Sequence, residues 1–280
     1  MHIEKIGVGI ITCNRPDFFR RCFNSIPIEG IVDIVVVNDG DKLSFDLSRG
    51  TLLENEVNLG VGKSKNKALE YLLGRGCDYI FIIEDDAIIK NINIFSEYIK
   101  ASKITGIQHF NFGPGSPFNR RQSIPHFDLY NRHLLESMSE PNPKLVLEYP
   151  QGVRICLYEH VAGVFSFFTK EILKHVGLHD EQFVNAWEHV DHTYRIILAN
   201  GHPPFWWFAD IANSVNYIET QEGAITKSTM SGPTETWMRN VNAGRLLYQQ
   251  KHGYYPNTTP SSTEEVVVAS LKSIKKRWTT

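Results

Sequence analysis

The sequence predicts an α/β domain with a mostly parallel central sheet and helices on both faces. Three observations carry this. Short β-branched runs alternate with helical stretches through residues 1–112. The runs are continuously apolar, as strands buried on both faces are. Several of them end abruptly in polar residues, and sheets of this kind bind ligands beyond the carboxyl ends of their strands.

The elements follow in order. Residues 5–12 (KIGVGIIT) are the first strand, and 16–25 a short helix with Pro16 at its start. Residues 33–37 (DIVVV) are a second buried strand, stopped by Asn38-Asp39-Gly40, and 52–57 a short third. Residues 62–73 have helical spacing and stop at Gly74. Residues 79–83 (YIFII) are the next strand, 92–102 a helix and 107–112 a further strand. From 113 to 150 the chain is rich in Pro, Asn, Arg and His, which predicts loops and short hairpins over the site. Residues 158–169 return to strand character and 170–176 to a short helix. Residues 188–199 form an amphipathic helix closed by Asn200-Gly201, and 204–209 (PFWWFA) a buried strand. Helices are expected over 234–250 and 263–278, the last capped by Thr263 and basic at Lys272, Lys275, Lys276 and Arg277.

Composition sets bounds. A chain of 280 residues buries a large core, as one big domain or one with an appendage. A net charge of −2 excludes a general attraction to nucleic acid and leaves only local patches. No apolar run approaches the roughly 18 residues that span a bilayer, and residues 1–5 lack a signal-peptide pattern. Cys13, Cys22, Cys77 and Cys156 show no CxxC pairing and are expected as reduced thiols. The expected location is cytoplasmic, with the basic last helix able to rest on an anionic membrane face.

Chemistry concentrates at four points. Glu84-Asp85-Asp86 ends the strand 79–83, between two apolar runs. Grouped carboxylates beside a core are costly unless a cation compensates them, and Mg²⁺ or Mn²⁺ commonly bridges one or two carboxylates to a diphosphate. An exposed acidic cap is the plain alternative. Asp39 can accept from a base or a ribose hydroxyl, or Asn38-Asp39-Gly40 is simply a turn. Asn58-Leu59-Gly60-Val61-Gly62-Lys63-Ser64-Lys65-Asn66 joins glycines and lysines to a helix start, which suits phosphate; without the GxxxxGK[ST] spacing it is no Walker A loop. Glu188, Asp191 and His192 share one face of a helix, with His189 beside it; a capped first turn explains the acids equally well. The run 205–208 reads as core rather than as a platform for sugar stacking.

Together these motifs resemble the family 2 glycosyltransferases with the GT-A fold, over roughly residues 6–253 and in the family's order. Ile10 through Pro16 is similar to its opening strand and nucleotide loop, and Val36-Val37-Asn38-Asp39-Gly40 to its second strand. Asn58 through Asn66 is similar to its NxG…(R/K)N segment, with Lys65 where Arg is common. Phe81 through Asp86 resembles the DXD segment, and Ala162 through Phe168 the acceptor-side strand. Residues 176–183 with Trp187-Glu188-His189-Val190-Asp191 resemble the GxFDExF…ED region, and Lys251-His252-Gly253 a late motif. The resemblance implies residues 1–112 as the donor half, 113–255 as the acceptor and catalytic half of the same domain, and 256–280 as a basic helix. It implies a UDP-sugar donor held by Thr12, Asn14, Arg15, Asp39, Lys65 and Asp85. Mn²⁺ or Mg²⁺ would sit on Asp86 and Glu84. Glu188, Asp191 or His189 would be the base for an inverting displacement.

Two departures are visible. The family's catalytic Asp is His189 here, and a late metal-binding His is missing near 216–219, where Glu219, His252 or water would substitute. The acceptor implied is a surface glycan or a lipid-linked one. Hydroxymethylated bases of viral DNA are an alternative, contacted through Arg120, Arg121, Arg132 and the basic last helix. A nucleotidyltransferase, or a binding module without catalysis, is a further alternative.

Overall fold

A computed structural model of the chain describes residues 4–31, 33–45, 47–121, 140–221 and 235–279. Its centre is a six-stranded sheet in the order β3-β2-β1-β4-β9-β6. The strands are β1 (Ile6–Thr12), β2 (Asp33–Asn38), β3 (Thr51–Glu54), β4 (Tyr79–Glu84), β6 (His109–Asn111) and β9 (Phe165–Thr169). β1, β2, β3 and β4 run parallel, and β9 lies antiparallel between β4 and β6.

Seven α-helices are described: α1 (Pro16–Ser25), α2 (Val61–Gly74), α3 (Ile94–Thr105), α4 (Lys170–Val176), α5 (Glu188–Leu198), α6 (Glu235–His252) and α7 (Glu264–Trp278). The side-chain alternation of β4 explains the two layers. Tyr79, Phe81 and Ile83 enter one core with Phe19 and Phe23 of α1, Tyr98 of α3 and Leu271 of α7. Ile80 and Ile82 enter the other, with Leu69 and Leu72 of α2, Ile172 of α4 and Ile196 of α5. A Cβ at Gly9 of β1 would lie 2.8 Å from Ala68 Cβ, so glycine lets α2 lie close on the sheet.

Several expected elements change. The run 158–169 is two strands in two sheets. β8 (Arg154–Tyr158) joins an antiparallel sheet β10-β8-β7 with β7 (Leu145–Glu148) and β10 (Phe208–Ile211), and β9 joins the main sheet. Both ends of the run are buried, so composition cannot reveal the corner between them. The strand expected over 204–209 starts only at Phe208. Trp207 N–H turns back to Pro204 O, and Trp206 has φ 69°. Both indoles donate to the C-terminal segment, Trp206 to Thr259 O and Trp207 to Ser262 O. Thr263 stands at the N-cap of α7 without a side-chain capping bond. The third strand is Thr51–Glu54, and α3 runs on to Thr105, where Gly106 ends it in the left-handed conformation.

A two-stranded ribbon was not expected: β5 (Ala87–Ile89) with β11 (Ile218–Thr220). The irregular stretch expected over 113–150 holds two 3₁₀ turns and β7 in its described part; Arg132 lies outside the described residues. No helix among the described residues is long and apolar enough to cross a membrane.

Candidate active site

Register brings three strand ends level. Thr12 pairs with Asn38 across β1 and β2, and Ile11 with Glu84 across β1 and β4. The ladders continue past the strands: Asp39 N–H donates to Thr12 O at 2.9 Å and Asp85 N–H to Ile11 O at 3.1 Å. Thr12, Asn14, Arg15, Asp39, Asp85 and Asp86 therefore meet at one rim. Asn14 sits at φ 53° and its Oδ1 accepts from Asp41 N–H at 2.6 Å. A Cβ at Gly40 would lie 2.1 Å from that oxygen, so only glycine fits there.

Asp39 is buried and organises the neighbouring loop. It accepts from Asn55 Nδ2 at 2.6 Å, Leu59 N–H at 2.7 Å and Gly60 N–H at 2.9 Å. Gly60, at φ 87°, is the residue from which α2 starts.

The acidic end divides in two. Asp85 accepts from Thr12 Oγ1 at 2.7 Å and forms an ion pair with Arg15. Burial pushes its carboxyl up to about 6, against the pull of Arg15 and Thr12. Asp86 lies 3.8 Å from Arg15 and is pushed up to about 7, first by burial and then by the Glu84 charge. Its Oδ1 is buried with no partner among the described residues. Such an oxygen fits a hard cation. No group of three or more His, Cys, Asp or Glu among the described residues forms a cage, so any cation there relies on few side chains. Of the substitutes considered for the missing histidine, Glu219 is exposed and faces Lys90 at 3.8 Å, while His252 donates to Asp191 at 2.8 Å.

Glu84 turns the other way, into a second cluster. Lys65 of α2, 2% exposed, reaches Glu84 Oε1 at 2.7 Å and Glu188 Oε1 at 3.1 Å. Burial alone would depress this ammonium, but the two carboxylates reverse that and hold it above its usual range. Glu188 is likewise buried; Lys65 and His189 outweigh desolvation and keep it well below the carboxylate range. His189 Nδ1 lies 3.1 Å from Glu188 Oε1, and its side chain is 26% exposed. Gly163 makes room for the group. A Cβ there would lie 3.1 Å from Glu84 Oε1, 3.2 Å from Lys65 Nζ and 3.4 Å from His189 Nδ1.

Asp191 and His192, further along α5, are engaged elsewhere. Asp191 is fully buried against Arg195 at 3.0 Å, Lys251 at 2.7 Å and His252 at 2.8 Å, with its carboxyl drawn down to about 2 although burial opposes this. His192 Nε2 donates to Gly177 O at 2.9 Å. Asn66 clasps the segment before α5, exchanging two bonds with the His179 backbone at 2.9 Å each. Of the expected site residues, the fold gathers Thr12, Asn14, Arg15, Asp39, Asp85 and Asp86 at the strand ends. It gathers Lys65, Glu84, Glu188 and His189 in the adjoining cluster.

The chain has relatives in sequence and in fold. The chain is 27% identical over 242 residues to an uncharacterized glycosyltransferase, R363, of Acanthamoeba polyphaga mimivirus, covering 81% of this chain and 85% of that one. Its fold is similar to GalNAc-T7 with UDP, GalNAc and Mn²⁺, at TM-score 0.51 and 13% identity, covering 98% of this chain and 54% of that one. The chain thus spans about half the length of GalNAc-T7. It is also similar to the catalytic domain of Drosophila β1,4-galactosyltransferase 7 in complex with xylobiose, at TM-score 0.51 and 12% identity, covering 94% of this chain and 87% of that one. No protein-family model matches the chain. The fold is of the GT-A type.

Sequence reasoning passed over one buried residue beside this rim, Gln221, which follows β11. A lone polar residue after a three-residue strand carries no periodic signal.

Proposed function

We propose that the chain is a glycosyltransferase that moves a sugar from a nucleotide-diphosphate donor, a UDP-sugar, to an acceptor hydroxyl of a surface glycan with inversion. The observation that carries this is the buried Asp86 Oδ1, without a partner among the described residues, on the rim where β1, β2 and β4 end. Support comes also from the mimiviral relative, which bears the name of a glycosyltransferase, and from the UDP and Mn²⁺ of GalNAc-T7.

In this mechanism Thr12, Asn14, Arg15, Asp39 and Lys65 bind and orient the donor, and Asp85 faces its ribose or diphosphate. A divalent cation on Asp86 would supply neutralising charge for the departing diphosphate. Glu188, ionised and buried, accepts a hydrogen bond from His189 Nδ1–H, which leaves the Nε2 lone pair for the acceptor proton. Lys65 keeps Glu188 ionised, and so holds His189 in that tautomer. Asp191 is the weaker candidate for the base, because both its oxygens are taken by cationic partners. Attack by the deprotonated hydroxyl opposite the leaving diphosphate inverts the anomeric carbon in one step.

A screen of nucleotide-sugars by thermal shift, followed by a nucleotide-release assay with and without EDTA, tests the proposal. A donor at 100 times its Kd should stabilise the fold by about 2.7 kcal/mol. Mn²⁺-dependent release of UDP from the stabilising donor is the expected result. The proposal fails if no nucleotide-sugar shifts the melt and none is turned over with glycan, lipid-linked or hydroxymethylated-DNA acceptors.

A further inference from the structure

Asp86 does not stand alone with an unmet oxygen. Gln221 is 5% exposed, and its Oε1 is also buried without a partner among the described residues. The orientation of this amide is determined by its neighbours. Nε2 donates to Phe18 O at 3.0 Å and to Asp85 O at 2.7 Å, and two carbonyls can only be met by the NH₂ group. Oε1 is therefore turned away from both carbonyls, with no partner among the described residues.

The backbone sets where that oxygen can lie. In the antiparallel ribbon Thr220 pairs with Ala87, and Gln221 N–H continues the ladder to Asp86 O at 2.7 Å. Gln221 is thus directly opposite Asp86. Residues opposite each other in an antiparallel pair project to the same face, with Cβ atoms about 5 Å apart. The two buried oxygens, one amide and one carboxylate, thus belong to residues paired across the ribbon, and neither has a partner among the described residues. A buried acceptor without a donor is costly, and a shared cation would offset that cost at both oxygens.

We propose that Gln221 Oε1 is a second protein ligand, beside Asp86 Oδ1, for the divalent cation. Carboxylate and amide carbonyl oxygens are the donors that Mg²⁺ and Mn²⁺ take, and two of them leave positions for phosphate oxygens and water. The inference rests on the cation at Asp86 put forward above. It adds that the ligand expected from the late part of the chain comes from the strand facing the acidic end.

The probe is Mn²⁺ itself, titrated into the full-length protein with and without UDP and followed by the EPR signal of the free ion. Melting of the metal-free variants is measured in parallel. Gln221→Ala should weaken Mn²⁺ binding roughly 10- to 100-fold. Gln221→Glu keeps an oxygen at Oε1 and loses the donors to Phe18 and Asp85. It should melt lower than wild type without metal, yet bind Mn²⁺ within a few-fold of wild type. A merely structural Gln221 would make both variants lose Mn²⁺ in step with their loss of stability, and that result overturns the inference. So does Mn²⁺ binding by Gln221→Ala within twofold of wild type, or no binding of Mn²⁺ by the wild type. Asp86→Asn separates the layers. If it abolishes binding and Gln221→Ala does not, only Gln221 is misassigned; if it leaves binding intact, the cation is not on Asp86 and both fall.

Discussion

Lys65→Met probes the buried cluster most directly. The ammonium is 2% exposed and bridges Glu84 and Glu188, the latter 3% exposed. With methionine there, Glu84, which is partly open, regains water, but the Glu188 carboxylate keeps only the His189 hydrogen bond among the described residues. Removing one partner from a buried ion pair costs about 3–5 kcal/mol, because the other charge stays behind unpaired. For a chain of this size that lowers Tm by on the order of 10 °C. Replacing both members by neutral groups of similar volume is often near neutral, so Lys65→Met with Glu188→Gln should recover most of the loss. Equilibrium urea unfolding followed by far-UV circular dichroism measures all three variants. A single variant within about 1 kcal/mol of wild type, or a double variant no better than Lys65→Met, refutes the reasoning, because Glu188 would then not be a buried charge dependent on Lys65.

Three further outcomes are expected. His189→Ala should lower the transfer rate by about 10²–10⁴ with donor affinity unchanged, whereas Asp191→Asn should lower Tm and spare turnover; equal losses of turnover would move the base to Asp191. Asp39→Ala leaves the Leu59 and Gly60 N–H groups without their acceptor, at about 1–3 kcal/mol each, so urea unfolding should show a clear loss of stability and thermal shift a loss of donor binding. His109 is held down at about 4 chiefly by burial, with Nδ1 on Phe167 O and Nε2 on Thr193 Oγ1. Below its ordinary value of about 6.5 the unfolded chain takes up a proton that the folded chain refuses, so this stability is complete above that pH and is lost as pH falls toward 4. Between pH 7.5 and 5, wild type should lose about 2 kcal/mol more than His109→Gln in urea unfolding; equal losses would mean the imidazole is not buried neutral.

Much of the fold was legible because burial writes itself into composition. A strand covered on both faces must be apolar throughout, so Asp33–Asn38 and Tyr79–Glu84 stood out, and the polar stops after them marked the rim. The helices α1, α2 and α5 followed from periodicity and from Pro and Gly at their ends. Legibility failed where two different burials look alike. Tyr158 and Phe165 are both apolar, yet one lies in the small sheet and the other in the large one, and the turn between them is set by contacts with Asn119 and the ion cluster. Trp206 and Trp207 read as strand, but their N–H groups had to reach Thr259 and Ser262, and a turn allows that.

The linear chain by itself determined which residues had to be buried and which polar groups would crowd the ends of the strands, since hydrophobic period and chain stops are local properties. The division of labour among the charges was decided only in three dimensions. Glu84 and Asp86 are two residues apart, yet one is neutralised by a lysine from α2 while the other pairs through its backbone with a glutamine 135 positions away. Glu188 and Asp191 share a helix face, yet one meets Lys65 and His189 and the other Arg195, Lys251 and His252. The physical reason is that a buried charge is stabilised by whatever opposite charge lies within a few ångströms, and those neighbours come from distant parts of the chain.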